Sequence, residues 1–191
     1  AAQWYQKCGL PAWWEERNLK AVVSRSGKLQ LALAIMQQAA MKQERTLMFS
    51  QSIGMLDIVE EVLRLIHWIP GKEYLRIDGK TPSKARQAMV EAFNNSENRA
   101  DGPIVMLIST RAGSLGINLV GASRVVILDA LWNPSHELQA VFRAYRYGQE
   151  RPVHVYRLLA AGTMEEKIYS RQITKQGLAA RVVDEHQVAR S

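Results

Sequence analysis

The chain has 191 residues, with 25 lysines and arginines against 18 aspartates and glutamates, so its formal net charge is +7 at neutral pH. A chain of this length forms one domain, and the basic excess favours a polyanionic partner such as nucleic acid over an acidic protein or a small acid. The single cysteine, Cys8, excludes an internal disulfide framework, and no apolar run is long enough to predict a membrane span. Because the chain begins with alanine rather than methionine, we expect it to be part of a longer protein.

The N-terminal region predicts an irregular arm followed by a capped helix. Residues 1–25 hold three of the five tryptophans and show little periodicity, which favours an arm packed on the domain. Ser26 has the side chain of a helix N-cap. Leu29, Leu33 and Met36 then recur on one face, as in an amphipathic helix with one buried side.

From residue 46 onward, short apolar runs alternate with amphipathic stretches. This alternation predicts an α/β fold, in which a parallel sheet carries helices on both faces. Ligands of such sheets bind at the carboxyl ends of the strands. The predicted strands are residues 46–50, 74–77, 104–109, 125–128 and 153–159, and the predicted helices between them include residues 53–68 and 83–93.

Two predicted strands end in small polar residues. Ser50 and Gln51 follow the first strand, and a turn with Gly79 and Thr81 follows the second. Hydroxyl and amide groups at such places can contact a phosphate. A turn followed by a helix cap explains Gly79 and Thr81 without any ligand.

The third strand opens into a segment with hydroxyls, an arginine and glycines. Ser109, Thr110 and Arg111 come first, and Gly116 follows within the same segment. Glycine allows close backbone approach, and hydroxyls satisfy phosphate oxygens. The residues alone fit a structural loop and a phosphate-facing loop equally well.

Trp132 follows the fourth strand, in the sequence Trp-Asn-Pro. An exposed tryptophan at a strand end can serve as a wedge or a stacking surface for nucleic acid. A tryptophan that fills the core is the alternative.

Gln139, Arg143 and Arg146 are spaced by four and three residues, which predicts that they share one helical face. Gly148 predicts the end of that helix and puts Arg146 on its last turn. A guanidinium stays charged and offers a planar fork of donors, which suits a phosphate chain that gains negative charge in a transition state. A solvated basic face explains the same spacing.

The last predicted element is a long helix from Thr163 to about Arg181. Thr163 is a suitable N-cap, and Glu165 and Glu166 stand in the first turn, where the helix dipole favours acids.

Several of these motifs resemble one protein family. The pattern Gln-Ala-x-x-Arg-x-x-Arg-x-Gly-Gln at 139–149 closely resembles the last signature motif of the SWI/SNF-type DNA-dependent ATPases, in superfamily two of the helicases. Residues 108–119 resemble the fifth motif of the family, and Ser-Gly-Lys-Leu at 26–29 resembles the opening of its second lobe. The likeness runs from about Ser26 to the C-terminus.

Within that family, the chain looks most like the ATRX branch of chromatin remodellers. Residues 145–149, 171–176 and 181–184 carry this likeness. The sequence departs from the family at Leu131, where a second acid is common, and at Tyr145, where histidine is common.

The resemblance implies a RecA-like C-terminal lobe over residues 26–160 and a C-terminal brace helix and tail over 161–191. It implies that Arg143 and Arg146 are catalytic arginine fingers and that Gly116, Gln139 and both arginines lie by the nucleotide. The implied DNA contacts are Ser50, Gln51, Gly79, Thr81, Ser109, Thr110, Arg111 and Trp132.

The resemblance also implies ATP and Mg²⁺ as cofactors, held mainly by a first lobe that this sequence lacks. Neither a Gly-x-x-x-x-Gly-Lys-Ser/Thr loop nor an Asp-Glu-x-His box occurs in the chain, so we predict no metal site here and no activity alone. The expected partners are duplex DNA, including nucleosomal DNA, and the N-terminal RecA-like lobe of the same protein. No membrane partner is expected, and the expected location is the nucleus.

Two alternatives remain from the sequence. One is the C-terminal lobe of an RNA helicase, which the final motif and Trp-Asn-Pro disfavour. The other is a catalytically dead lobe that binds protein or nucleic acid, which the presence of both Arg143 and Arg146 disfavours.

Overall fold

The computed structural model describes residues 23–95, 102–113 and 116–188. All but the last three residues of the predicted N-terminal arm, 1–25, lie outside these ranges. The predicted boundaries of the arm, the lobe and the brace therefore stay predictions.

The described residues contain one sheet of five parallel strands, and the order across it is β2-β3-β1-β4-β5. The sequence predicted all five strands, with ends that differ by no more than three residues. Because every strand runs in the same direction, all the carboxyl ends meet at one edge of the sheet, which we call the carboxyl edge. The strands are β1 Arg45–Ser50, β2 Tyr74–Ile77, β3 Val105–Ser109, β4 Ala122–Ile127 and β5 His154–Arg157.

Within the described ranges, six helices stand before, between and after the strands, and residues 23–25 are also helical. Polar side chains cap the start of several of them: Ser26 Oγ accepts from the Leu29 amide at 3.3 Å, Ser52 Oγ accepts from the Met55 amide at 3.2 Å, and Thr163 Oγ1 accepts from the Glu165 amide at 3.2 Å. Asn133 caps a helix with proline at its first turn. The helices are α1 Gly27–Met41, α2 Ile53–Leu65, α3 Ser83–Asn95, the single turn α4 Thr110–Gly113, α5 Pro134–Val141 and α6 Met164–Val188.

Both faces of the sheet are covered, because neighbouring residues of each inner strand point to opposite sides. On β1, Leu47 and Phe49 pack into one cluster, which includes Phe93 of α3 and Ala140 of α5. Met48 packs into the other cluster, which includes buried residues of α1 and α2. The predicted RecA-like α/β architecture is therefore confirmed.

The predicted helix through Gln139, Arg143 and Arg146 is wrong at its C-terminal end. Helix α5 ends at Val141, and both arginines lie in the turns that follow. The chain leaves the helix because the Arg143 carbonyl binds a partner outside it: the Leu119 amide donates to this carbonyl at 2.8 Å.

Two other helix ends also differ from the prediction. Helix α2 ends at Leu65 rather than at residue 68, because His67 adopts a positive φ of 65° that an α-helix cannot contain. Helix α6 continues to Val188 rather than stopping near Arg181.

Within the described part of the chain, no helix has both the length and the apolar composition of a membrane span. The same residues contain no group of three or more histidine, cysteine, aspartate or glutamate side chains that could hold a metal ion.

Candidate nucleic-acid and nucleotide interface

The carboxyl edge brings together the polar residues that follow four strands. Ser50 lies directly beside Ser109 in the pairing of β1 with β3, and Ile77 lies beside Ile108 in the pairing of β2 with β3. The turn after Ile77 therefore stands next to Ser109. On the other side of β1, β4 continues into the loop that contains Trp132.

The end of β1 is held by an aspartate from the end of β4. The Ser50 hydroxyl donates to the carboxylate of Asp129, and the backbone amide of Gln51 donates to the same carboxylate at 2.9 Å. Ser50 is only 1% exposed, whereas Gln51 is exposed. Ser50 therefore positions this end of the strand, and Gln51 is the group that a ligand can reach.

The turn after β2 is preorganised by its own hydrogen bonds. The Asp78 amide donates to Thr81 Oγ1 at 3.0 Å, the Thr81 amide donates to the Asp78 carbonyl at 3.1 Å, and the Lys80 amide donates to Asp78 Oδ1 at 2.9 Å. These bonds form the turn that the sequence indicated. They leave Gly79 and Lys80 exposed at its tip.

The segment after β3 begins with a buried serine and then becomes accessible. Ser109 is 4% exposed, and its hydroxyl accepts from the Ala112 amide at 3.4 Å, which caps α4. Thr110 is partly exposed and Arg111 is exposed. Gly116 is also exposed, and its φ of +76° lies in the left-handed region that favours glycine.

Trp132 projects from the loop after β4 with 57% of its surface exposed. The alternative that Trp132 fills the core is therefore wrong. The buried residue of this loop is Leu131, which is 8% exposed and occupies the position where the resembled family often has an acid.

The two arginines lie in a segment that is bonded to the loop before β4. We call residues 142–149 the arginine segment. The Leu119 amide donates to the Arg143 carbonyl at 2.8 Å. The side-chain amide of Gln149 donates to the carbonyls of Val120 at 3.0 Å, Ala122 at 2.7 Å and Ala144 at 3.1 Å. The arginine segment and residues 116–122 therefore form one hydrogen-bonded unit.

The side chains of this unit differ in their exposure. Gln139, on the last turn of α5, and Arg146 are exposed, and Arg143 is partly exposed. Tyr147 is fully exposed, and Gly148 has a φ of +94°. Gly148 thus closes the turns of the arginine segment rather than the helix that the sequence predicted.

A buried arginine supports this unit from the start of β1, where Arg45 pairs with Ala122 at the start of β4. Arg45 Nη1 donates to the Phe93 carbonyl at 2.5 Å, and burial lowers the pKa of its guanidinium. Beside it, Asn94 accepts from the Gly121 amide at 3.0 Å and donates to the Asn118 carbonyl at 2.8 Å. A Cβ atom at position 121 would lie 2.9 Å from the Phe93 carbonyl, so the packing requires glycine there.

Residues 27–148 match the helicase conserved C-terminal domain. The chain belongs to this family. It is 50% identical over 190 residues to Protein CHROMATIN REMODELING 20 of Arabidopsis thaliana, a match that covers 94% of this chain and 13% of that protein. It is 43% identical over 201 residues to the Transcriptional regulator ATRX of Homo sapiens, covering 94% of this chain and 8% of the relative.

A solved structure gives the same result for the fold. The C-terminal part of the Fun30 ATPase domain is similar with a TM-score of 0.68 and 35% sequence identity, over 76% of this chain and 45% of that one. The predicted resemblance to the C-terminal lobe of SWI/SNF-type remodellers, nearest to the ATRX branch, is therefore confirmed. This helicase C-terminal lobe spans 13% or less of the length of the two curated relatives above.

Sequence reasoning missed three residues that hold the lobe's candidate site together. The motifs at 145–149 and 171–176 contain Gln149 and Gln172 without indicating a role for either, and none of the quoted motifs contains Glu137. Glu137 and Gln172 are 2% and 3% exposed, and both bind the backbone of Leu131. A charged or amide residue in an otherwise ordinary helix carries no sequence signal for such a contact, because its partner comes from a distant part of the chain.

Proposed function

We propose that this chain is the second motor lobe of an ATP-dependent double-stranded DNA translocase that remodels chromatin. The observation that carries the proposal is the hydrogen-bonded unit of residues 116–122 with the arginine segment. This unit contains Gly116, the residue predicted to lie by the nucleotide, three positions before the bonded Leu119, and it contains both predicted arginine fingers. The DNA contacts predicted from four motifs lie along the carboxyl edge of the same sheet.

In this proposal, the lobe supplies positive charge rather than the site that holds the nucleotide. Arg143 and Arg146 offer fixed, planar donors, which stabilise the charge that develops on a transferred phosphoryl group. In this proposal, ATP and Mg²⁺ are held mainly by the first lobe, because this sequence contains neither a Gly-x-x-x-x-Gly-Lys-Ser/Thr loop nor an Asp-Glu-x-His box. The isolated chain is then inactive as an ATPase.

The carboxyl edge divides into groups that touch DNA and groups that position them. Gln51, Gly79, Thr110, Arg111 and Trp132 are accessible and form the contact set. The other three predicted contacts are more enclosed: Ser50 and Ser109 are buried, and Thr81 uses its hydroxyl to accept within its own turn. In this proposal, the hydroxyls of these three residues chiefly hold the local backbone in place, and the amides of that backbone face the phosphates of DNA.

The names of the relatives support the broader role that we propose. One is a chromatin remodelling protein and another is a transcriptional regulator. We therefore propose a nuclear location and duplex DNA, including nucleosomal DNA, as the partner of the whole protein, with the N-terminal RecA-like lobe as the partner within it.

The decisive experiment replaces each arginine in the two-lobed protein. Arg143→Ala and Arg146→Ala should each lower single-turnover hydrolysis by roughly three orders of magnitude at saturating ATP and duplex DNA, because transition-state charge loses its partner. The affinity for ATP should change far less. Lysine at either position should rescue poorly, since a point charge on a flexible stem does not reproduce the planar fork.

The matched control is Arg64→Ala, because Arg64 lies near the start of β2, three strands away from β4 in the sheet, where it donates to the Tyr74 hydroxyl at 3.3 Å. This variant should hydrolyse ATP at the parental rate. Near-parental rates for both arginine-segment variants would reject the arginine-finger assignment. Stimulation by duplex RNA but not by duplex DNA would identify the RNA helicase alternative, and a parent without hydrolysis would identify a binding module.

A further inference from the structure

Helix α6 is attached to the loop after β4 at two points. The first point is where β4 ends and the loop begins. We call residues 128–133 the tryptophan loop. Lys28 Nζ donates to the Leu128 carbonyl at 2.8 Å and forms an ion pair with Glu165 of α6 at 2.5 Å. Glu165 also accepts from the Ala160 amide at 2.8 Å. The first turn of α6 is thus fixed to the start of the tryptophan loop.

The second point lies two turns further along the helix. Gln172 stands seven residues after Glu165, so both side chains share one face of α6. Its side-chain amide donates to the Leu131 carbonyl and to Glu137 Oε1, the latter at 2.7 Å. Gln172 is 3% exposed, so these bonds are shielded from water.

The buried carboxylate of Glu137 completes this attachment. Its Oε1 also accepts from the Leu131 amide at 2.8 Å, and its Oε2 accepts from Arg157 at 3.0 Å. The N–H and the C=O of Leu131 are therefore both bound by side chains of other elements. A side-chain amide has two N–H donors on its nitrogen, and Gln172 uses both of them here.

The geometry at Leu131 bears directly on the exposed tryptophan. The Leu131 carbonyl belongs to the peptide group that links Leu131 to Trp132, so a bond to this carbonyl fixes the orientation of the plane from which Trp132 departs. Apolar packing alone would fill the same space but would leave the carbonyl free to rotate. Gln172 thus connects α6 directly to the peptide group that precedes Trp132.

We infer that Gln172 is a positioning residue that sets the orientation of Trp132 toward duplex DNA and couples it to the position of α6. This inference rests on the proposed function for its DNA component. Its structural component concerns only the contact between α6 and the tryptophan loop.

The test uses the two-lobed protein with Gln172→Met, which removes both N–H donors and keeps an unbranched side chain of similar size. Gln176→Met, one turn further along α6 where the side chain is partly exposed, is the matched control. In the free protein, hydrogen exchange of residues 130–133 should become faster in Gln172→Met and stay unchanged in Gln176→Met. Unchanged exchange in Gln172→Met would overturn the inference without reference to DNA.

The DNA component is tested by a double-mutant cycle with Trp132→Ala. The concentration of duplex DNA that gives half-maximal stimulation of hydrolysis should rise on the order of tenfold in each single variant, the change expected for the loss of about one good hydrogen bond or contact. The double variant should need no more DNA than Trp132→Ala alone, because Gln172 acts through Trp132. Additive effects would show that Gln172 acts by another route and would overturn the inference.

Two further outcomes separate the inference from the proposed function. A parent protein that duplex DNA does not stimulate would refute the proposed function and the DNA component together, while the exchange data still decide the contact with α6. If Gln172→Met does not fold, Gln172→Asn keeps the amide but shortens its reach, and it should show a smaller change of the same kind in both measurements. No change in either measurement would reject the inference.

Discussion

Gln149→Leu provides a sharp test of how the arginine segment is held in place. The side-chain amide of Gln149 donates its two N–H groups to three carbonyls, at 3.0, 2.7 and 3.1 Å, so that one N–H is shared. These carbonyls belong to residues on both sides of the unit. Leucine has a similar size but no donor, so these partly buried carbonyls lose their partner. A net hydrogen bond contributes about 1 kcal/mol, and an acceptor left buried costs more, so the variant should lose about 2–3 kcal/mol of unfolding free energy.

The assay is urea unfolding of the 191-residue chain, followed by tryptophan fluorescence. For a domain of this size, the same loss corresponds to a fall in Tm of roughly 4–12 °C. Gln87→Leu is the matched control, since Gln87 is exposed on α3 and its side-chain amide donates to the exposed Glu91 carboxylate at 3.1 Å. A loss below about 0.5 kcal/mol, equal to that of the control, would refute the reasoning.

Three further predictions concern the support of the unit, acid stability and DNA binding. Gly121→Ala should lower the unfolding free energy by about 1–3 kcal/mol, because the new Cβ would lie 2.9 Å from a backbone carbonyl. Gly54→Ala is the control and should not destabilise the protein, because its Cβ would lie 3.8 Å from its nearest neighbour. The hydrogen bond from Arg124 holds the pKa of Glu44 below its ordinary value of 4.5. The stability that Glu44 contributes is therefore fully present above pH 4.5, and it is lost as the pH falls through the lower pKa of the folded state. Glu44→Gln should therefore weaken the acid dependence of urea unfolding below about pH 4.5, and an unchanged dependence would exclude this role. The isolated chain should bind duplex DNA weakly in fluorescence anisotropy, because the charge of +7 is spread over a whole domain. Its affinity should fall roughly tenfold or more between 50 and 200 mM salt, because the contacts are with phosphates. An affinity that does not depend on salt would contradict an electrostatic interface.

The sequence predicted the sheet and most helix starts because both depend on local signals. Apolar runs mark the strands, and caps such as Ser26 and Thr163 mark helix starts through bonds to amides two or three residues away. These signals lie within a few residues of the structure that they specify. The likeness of the motifs then identified the family.

The sequence did not predict features that depend on distant partners. The end of α5 is set by the bond between Leu119 and the Arg143 carbonyl, which joins residues 24 positions apart, and helical spacing alone suggested that the helix continues. Ser50 is one of the predicted DNA contacts, and its hydroxyl donates to Asp129, which the fold brings from the end of β4. The roles of Arg143, Arg146 and the DNA contacts stay predictions until the variants are measured.

The spacing of Glu165 and Gln172 on α6 limits how this lobe can change in length. Each residue added to an α-helix rotates all later side chains by about 100° and moves them by about 1.5 Å. A single insertion or deletion within residues 166–171 would therefore turn the Gln172 amide away from Leu131 while Glu165 still binds Lys28. We expect related lobes that keep both attachments to have the same number of residues between them, with length variation elsewhere in the loops.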